Sequence, residues 1–306
     1  MAVIDLSQLP APEVIEVPHF EVLLAERKAA FVALHPADEQ DAVRRTLELE
    51  SEPVVKLLQE NTYREMLLRQ RINEAAQAVM VAYALGSDLE QLAASYNVSR
   101  LTVTPADNTA VPPVEAVMES DDDLRLRVPD AFEGLSVAGP TAAYEFYAKS
   151  ADGRVSDVSA TSPAPAEVLI TVLSRVGDGA APDDLLAVVD GALNDESVRP
   201  VADRVMVQGA TIFNYRVEAR LHLFDGVVAG PCLEAANGAL AAYLAEQRKL
   251  GRSVRRDSYG AVLRVAGVDW VEMLQPASDI IMDRTQAGYC TGTQVTVADD
   301  DRGFTP

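Results

Sequence analysis

The chain is short of the residues that most often carry chemistry. It has three histidines in 306 residues, His19, His35 and His222, far apart in sequence. None falls in an HxH, HExxH or HxxxH pattern, whereas a zinc site draws three or four N, S or O ligands, usually clustered. Cysteine is scarcer still. Cys232 and Cys290 lie outside any CxxC pattern, which leaves one disulfide between them or two buried thiols. No GxSxG elbow, Walker loop or GxGxxG fingerprint is present. Aromatics make up 6% and the one tryptophan, Trp270, sits in an apolar strand-like run, which argues against a glycan-binding surface. Positive charge is also short: 26 Lys and Arg against 47 Asp and Glu give a net charge of −21. Such a chain is repelled by nucleic-acid phosphates and by anionic lipid, so neither is an expected partner. The longest apolar run, VMVAYAL at 79–85, falls well short of the ~20 residues that span a bilayer. The opening MAVIDLSQLPAPEVIEVP carries Asp5 and no basic n-region, so the expectation is a protein made and assembled in a cytoplasm.

What is present is patterning. Pro10, Pro12 and Pro18 keep residues 1–18 extended. Val3, Ile4, Leu6, Leu9, Val14, Ile15 and Val17 make that arm apolar enough to lie on its own body or on a neighbour. Helical signals follow up to Pro36, and again before Pro53. A long helix is then expected over 53–85, with a stripe of Val55, Leu58, Thr62, Met66, Ile72, Ala76, Val79 and Tyr83. It either packs on its own neighbours or also joins a bundle with another chain. Ser87 reads as the N-cap of the next helix. Residues 101–120 are rich in proline and turn formers and read as a linker. Beyond them helices and strands alternate in two short sets. The expected fold class is α+β: an N-terminal helical region followed by two small α+β lobes. The expected boundaries are an extended arm at 1–18, a helical bundle region at 19–99, a linker at 100–119, and lobes at 120–209 and 210–306.

Strand 213–223 is the clearest single element. Phe213, Tyr215, Val217, Ala219, Leu221 and Leu223 fall on one side; Asn214, Arg216, Glu218, Arg220 and His222 fall on the other. The polar side lacks a Ser, Cys or metal companion at any recognised spacing, so Arg216, Glu218, Arg220 and His222 read as a subunit contact or a solvated face. Asp121, Asp122 and Asp123 could hold a metal, but three acids in the first turn of a helix are also what its dipole attracts. GRSVRRD at 251–257 is the densest basic patch; Arg252, Arg255 and Arg256 would bind phosphate or pair with acids of the same or a neighbouring subunit. VGDG at 176–179 and FDG at 224–226 are turn signals without EF-hand spacing. No catalytic residue, metal site or cofactor is expected.

Several collinear stretches carry a resemblance: IDLSQLPAPEVIE, ESEPVVKLLQENTYREMLLRQRINEAAQAVMVAYALGSDLEQLAA, GLSVAGPTAAYEFYAKSADGRVSDVSATSP, VLSRVGDG and VRPVADRVMVQGA. Together they resemble the baseplate J family of contractile-tailed bacteriophages, with related chains in phage-tail-like bacteriocins and other contractile injection systems. The resemblance runs from about residue 4 to residue 275; the loop 101–120 and the tail after 275 lie outside it. It implies a structural baseplate wedge protein located in the baseplate of a virion or tail-like particle. Two copies would join one copy of the smaller baseplate protein I through a helical bundle. Wedges would then close into a sixfold ring around the tail hub, beside the sheath-initiator proteins. The bundle-forming positions correspond to Leu58, Met66, Ile72, Val79 and Tyr83, and the family offers no catalytic residue to carry over. The alternative reading is a tail-associated cell-wall hydrolase using Asp121–Asp123, or Asp279 and Asp283.

Overall fold

The computed structural model describes residues 6, 9, 10, 12–136, 138–196 and 198–298. Val3 and Ile4 of the expected arm, and the tail beyond Ala298, lie outside the described residues. The chain forms two compact units, residues 1–99 with 121–128, and residues 100–120 with 129–306.

The first unit is helical. Helices α1 (Phe20–Ala33), α2 (Gln40–Thr46), α3 (Pro53–Ala78) and α4 (Gly86–Ala94) follow in order. Pro53 opens α3 behind an extended Glu52, where its missing N–H costs nothing. Val32, Leu47 and Val55 form a small core with Phe31, Val43 and Leu58 packed around it. Thr62 is fully buried on the same side of α3, and its hydroxyl donates to the Leu58 carbonyl at 2.7 Å. α1 and α3 are also tied by charge. The Glu65 carboxylate accepts from Arg27 Nε at 2.7 Å and from Arg69 Nη2 at 2.9 Å, and these two cations hold its pKa below the ordinary glutamate value.

The segment before α1 lies on its own body at Glu16. The Glu16 N–H donates to Asn73 Oδ1 at 3.1 Å, Asn73 Nδ2 returns a bond to the Glu16 carbonyl at 2.6 Å, and Arg69 reaches the Glu16 carboxylate at 2.8 Å. Val14 and Val17 remain exposed while Ile15 is half-buried, so polar pairing joins limited apolar burial in fixing the arm at this point. Asn73→Ala removes both backbone bonds. The expected result is faster proteolytic nicking between Pro12 and His19 with little change in the melting temperature, because exposed hydrogen bonds contribute about 1 kcal/mol or less. Unchanged cleavage would show that the arm is held elsewhere.

α3 ends at Ala78, short of the expected Leu85, so its 26 residues span about 39 Å. Arg125, far along the chain, donates to the carbonyls of Val81 at 3.0 Å and Ala84 at 2.8 Å and so holds the turns that follow α3. Ser87 is not the cap of α4. The helix begins at Gly86, whose N–H is taken by Asp121 Oδ2 at 2.9 Å. Asn97, at φ 58, then closes α4 with a Val98 N–H bond to the Ala93 carbonyl. Helix α5 (Asp121–Asp130), expected to open the first lobe, has its first eight residues in the first unit. Leu124 and Val128 are buried there, and Arg127 Nη2 donates to the Ser99 carbonyl at 2.6 Å.

The second unit begins with the segment read as a linker, which is instead a hairpin. Strands β1 (Thr102–Thr104) and β2 (Val117–Met118) pair antiparallel, with a further bridge between Asp107 and Val114. Buried Glu119 closes the base: its carboxylate accepts from Leu101 N–H at 3.2 Å and its carbonyl accepts from Arg100 at 2.6 Å. The hairpin lies against Gly153, where a Cβ would sit 2.4 Å from the Thr102 carbonyl oxygen. Backbone cannot yield to that contact, so glycine is required.

Two lobes follow. In the first, α6 (Thr141–Ala151) and α7 (Asp183–Leu193) pack on a sheet of β3 (Val155–Thr161), β4 (Glu167–Ser174) and β5 (Arg204–Gly209), in the order β3-β4-β5. β4 is antiparallel to β3 and, across the α7 connection, parallel to β5. Ile170, Val172, Leu185, Val189 and Leu193 are its fully buried centre. Tyr144 donates to Asp203 at 2.7 Å beside that core; burial and then the Asp203 carboxylate raise its pKa.

In the second lobe, β6 (Thr211–Leu223) lies between β7 (Val268–Gln275) and β8 (Gln286–Val297), antiparallel to the first and parallel to the second. α8 (Ala229–Gln247) and α9 (Arg256–Leu263) cover one face, burying Val217, Ala219, Leu221, Ala236, Leu240 and Leu263. Inside that core the Tyr215 and Tyr259 hydroxyls pair at 2.8 Å, and burial raises both their pKa values. The α+β class, with an N-terminal helical region, is what the structure shows.

Candidate assembly surfaces

α3 presents two unlike faces. Val55, Leu58, Thr62, Met66 and Asn73 fall on the side turned to the first unit's interior and to the arm, and each is buried or half-buried. About a third of a turn away, Val54, Leu57, Leu68, Ile72 and Ala75 form a second line, and all five are exposed. Leu57 is 59% exposed, Leu68 65% and Ile72 60%. Asn61 and Arg64 occupy the turns between Leu57 and Leu68, so the aliphatic line has two parts, and monomers rarely leave large aliphatic side chains open in such groups.

The structure therefore divides the five expected bundle residues. Leu58 packs beside Val32, Leu47 and Val55, and Met66 is half-buried on the same side. Ile72 belongs to the open row. Val79 is exposed and Tyr83 half-buried, but both lie beyond the end of α3 in the turns that Arg125 holds. Leu57 and Leu68 lie in the open row and outside the expected stripe. Their signal was there, in the spacing of 54, 57, 68, 72 and 75, but a row containing Val55 and Leu58 competes with it.

The open face of the β7-β6-β8 sheet is the second surface. Tyr215, Val217, Ala219 and Leu221 point into the core, and Arg216, Glu218, Arg220 and His222 point away from it, as the alternation requires. Arg216 stands 3.7 Å from Glu218, while Arg220 and His222 stand 3.6 and 3.9 Å from Glu272 on β7. The His222 ring stacks on Trp270 with centroids 3.7 Å apart and planes 7° from parallel. Trp270 is 47% exposed, which corrects its reading as part of an apolar strand. The cause is a register shift between His222 and Leu223, which face Trp270 and Val268 and leave Asp269 as an extra residue. Strict alternation from the buried Val268 would have turned Trp270 inward. The face thus carries an aromatic stack among charges of both signs, with Thr296 of β8 in register beside Arg220.

The carboxylates of the hydrolase reading are engaged in holding backbone. Asp121 binds the Gly86 N–H, and Asp122 pairs with Arg125 at 2.5 Å. Asp279 accepts from the Arg256 N–H and from Arg255 Nη1, both at 3.0 Å. Asp283 accepts from the Thr285 hydroxyl at 2.6 Å and its N–H at 2.7 Å. These bonds lower the pKa of Asp279 and of Asp283 below the ordinary aspartate value. Held ionised, they are poor proton donors near neutral pH. Of the basic patch, Arg255 and Arg256 fasten the turn after β7, Arg256 through the carbonyls of Met273 and Ala277. Among the described residues no group of three His, Cys, Asp or Glu is placed to hold a metal, and no helix is long and apolar enough to cross a membrane. Cys232 and Cys290 are both free thiols, Cys232 buried and Cys290 half-buried.

Comparison with known proteins gives three domain matches in chain order. Residues 50–107 match the Baseplate J-like N-terminal domain, residues 136–209 the Baseplate J-like central domain, and residues 215–298 the Baseplate J-like protein C-terminal domain. The open row of α3 falls in the first match, the β3-β4-β5 lobe in the second, and most of the β7-β6-β8 lobe in the third. The chain is also 55% identical over 301 residues to Baseplate protein J of Escherichia phage P2, covering 98% of this chain and 100% of that relative. Identity at this level across the full length, with all three domains in order, establishes that the chain belongs to the baseplate J-like family.

Proposed function

We propose that this chain is a structural component of the baseplate wedge of a contractile tail, assembled through side-chain contacts rather than through catalysis. The observation that carries the reading is the open aliphatic row Val54, Leu57, Leu68, Ile72 and Ala75 on a helix inside the region matched by the J-like N-terminal domain. Such a row supports a helical seam with other chains, because burying each large aliphatic side chain contributes about 1.5–3 kcal/mol. In this reading two copies and one copy of baseplate protein I share the seam. Wedges then close into a ring around the tail hub, next to the sheath-initiator proteins, in a particle put together in the bacterial cytoplasm. The open sheet face with Arg216, Glu218, Arg220 and His222 supplies a further subunit contact, with Trp270 at its centre. Cell-wall hydrolysis draws no support from acids that serve as caps and turn locks.

The test is coexpression with baseplate protein I followed by light scattering on the eluted peak. A mass above that of either chain, containing both, is the expected result. A persistent monomer beside free protein I would overturn the proposal.

A further inference from the structure

One cluster of cations makes no ion pair among the described residues. Lys249 and Arg252 lie between α8 and α9, and Arg284 lies between β7 and β8. The two segments run side by side. The Gly251 N–H donates to the Gln286 carbonyl at 2.9 Å, Val254 and Ile280 exchange backbone bonds at 2.9 and 3.0 Å, and the Met282 N–H donates to Ser253 Oγ at 3.1 Å. The Cα and Cγ of Arg284 lie 3.7 and 3.9 Å from the position a Cβ on Gly251 would occupy. All three cations are exposed, and none makes an ion pair among the described residues. Of the nearby carboxylates, Asp279 is held by Arg255, Asp283 by Thr285, and Asp157 by Lys149 at 3.3 Å and the Leu250 N–H at 3.0 Å, while exposed Glu246 precedes Lys249 by three residues without an ion pair among the described residues.

This cluster stands out against the charge of the rest of the chain. Residues 211–298 hold nine acidic and nine basic side chains, whereas residues 100–210 hold nineteen acidic and eight basic. The acidic excess is displayed on α7. Asp183 and Asp190, seven residues and hence about two turns apart, lie on one exposed face, and exposed Glu196 follows the helix. No basic residue occupies the last turn of α7. The Asp190 carboxylate accepts from Asn194 Nδ2 at 3.1 Å, and Arg199 reaches that amide's oxygen at 3.4 Å, but Asp190 is exposed and makes no ion pair among the described residues.

We propose that Lys249, Arg252 and Arg284 of one copy dock on the acidic outer face of α7 in a second copy. The contact joins the second lobe of one chain to the first lobe of the next. It is therefore head-to-tail, the kind that closes into rings or runs on as filaments. It rests on the self-assembly reading above but is separate from the α3 seam. Because the charges are exposed, they act chiefly on encounter rate and salt dependence.

Sedimentation velocity of the full chain at about 50 mM and about 500 mM salt reads the contact, since screening shortens the Debye length several-fold. Self-association that weakens at the higher salt is expected. Lys249→Glu with Arg252→Glu and Arg284→Glu should weaken it roughly ten-fold or more at low salt, and so should Asp183→Lys with Asp190→Lys and Glu196→Lys. Mixing the two reversed chains should restore association. All six sites are exposed, so circular dichroism should show unchanged folding. Absence of salt-sensitive association in the unaltered chain, or a mixture no better than either reversed chain alone, would overturn the proposal. Both reversed chains should still bind baseplate protein I; loss of that binding in the unaltered chain would count against the α3 seam instead.

Discussion

Leu57→Asp, Leu68→Asp and Ile72→Asp in one chain should abolish the complex with baseplate protein I while leaving the isolated chain folded, its melting temperature lowered by no more than roughly 10 °C through the weaker helix propensity of Asp. The two halves of that expectation have separate causes. In the isolated chain the three side chains stand in solvent, so a carboxylate there replaces an exposed alkyl group and costs no more than helix propensity. In a helical seam each would forfeit about 1.5–3 kcal/mol of burial and place a charge in an apolar contact, which costs more. A nanomolar complex has about 12 kcal/mol in total, so losses of this size reduce affinity by at least about 10⁴-fold. Leu58→Asp is the contrast. Leu58 packs against the Val32, Leu47 and Val55 core, so that change should lower the melting temperature of the helical unit itself. A complex that survives the triple change would place the seam elsewhere.

Leu221→Ala should destabilise the second lobe by about 3–4 kcal/mol, the range for a large-to-small change at a fully enclosed site. Leu221 is fully buried on the central strand, between β7 and β8 and beneath α8 and α9. For a lobe of this size such a loss lowers the melting temperature by roughly 15 °C or more, readable by calorimetry. Arg220→Ala is one residue away on the opposite face of the same strand. Its pairing with Glu272 at 3.6 Å is exposed, so removing it should change stability by about 0.5 kcal/mol or less. Equal effects at the two positions would contradict the register of β6.

How much of this was legible in sequence depends on the range of the forces involved. The faces of β6 were readable because a two-residue period leaves no freedom once one side is buried. The start of α3 was readable because Pro53 acts on its own φ. Its end was not: the turns that follow it are held through the carbonyls of Val81 and Ala84 by Arg125, some forty residues along the chain. The same holds for the Gly86 N–H, claimed by Asp121 rather than by the neighbouring Ser87. Proline content made 101–120 look like a linker, but Glu119 and Leu101 close it into a hairpin through bonds across that loop. Trp270 turned outward because one extra residue in β7 reverses the alternation.

Composition, periodicity and proline placement thus determined by themselves that this chain is an acidic α+β protein with an N-terminal helical region and two small lobes, for these are local properties of the backbone and of side-chain spacing. The tertiary structure alone decided which side of α3 stays open, where that helix stops, and which cations make no ion pair among the described residues. Each of those outcomes depends on groups distant in sequence competing for the same apolar surface, carbonyl or carboxylate.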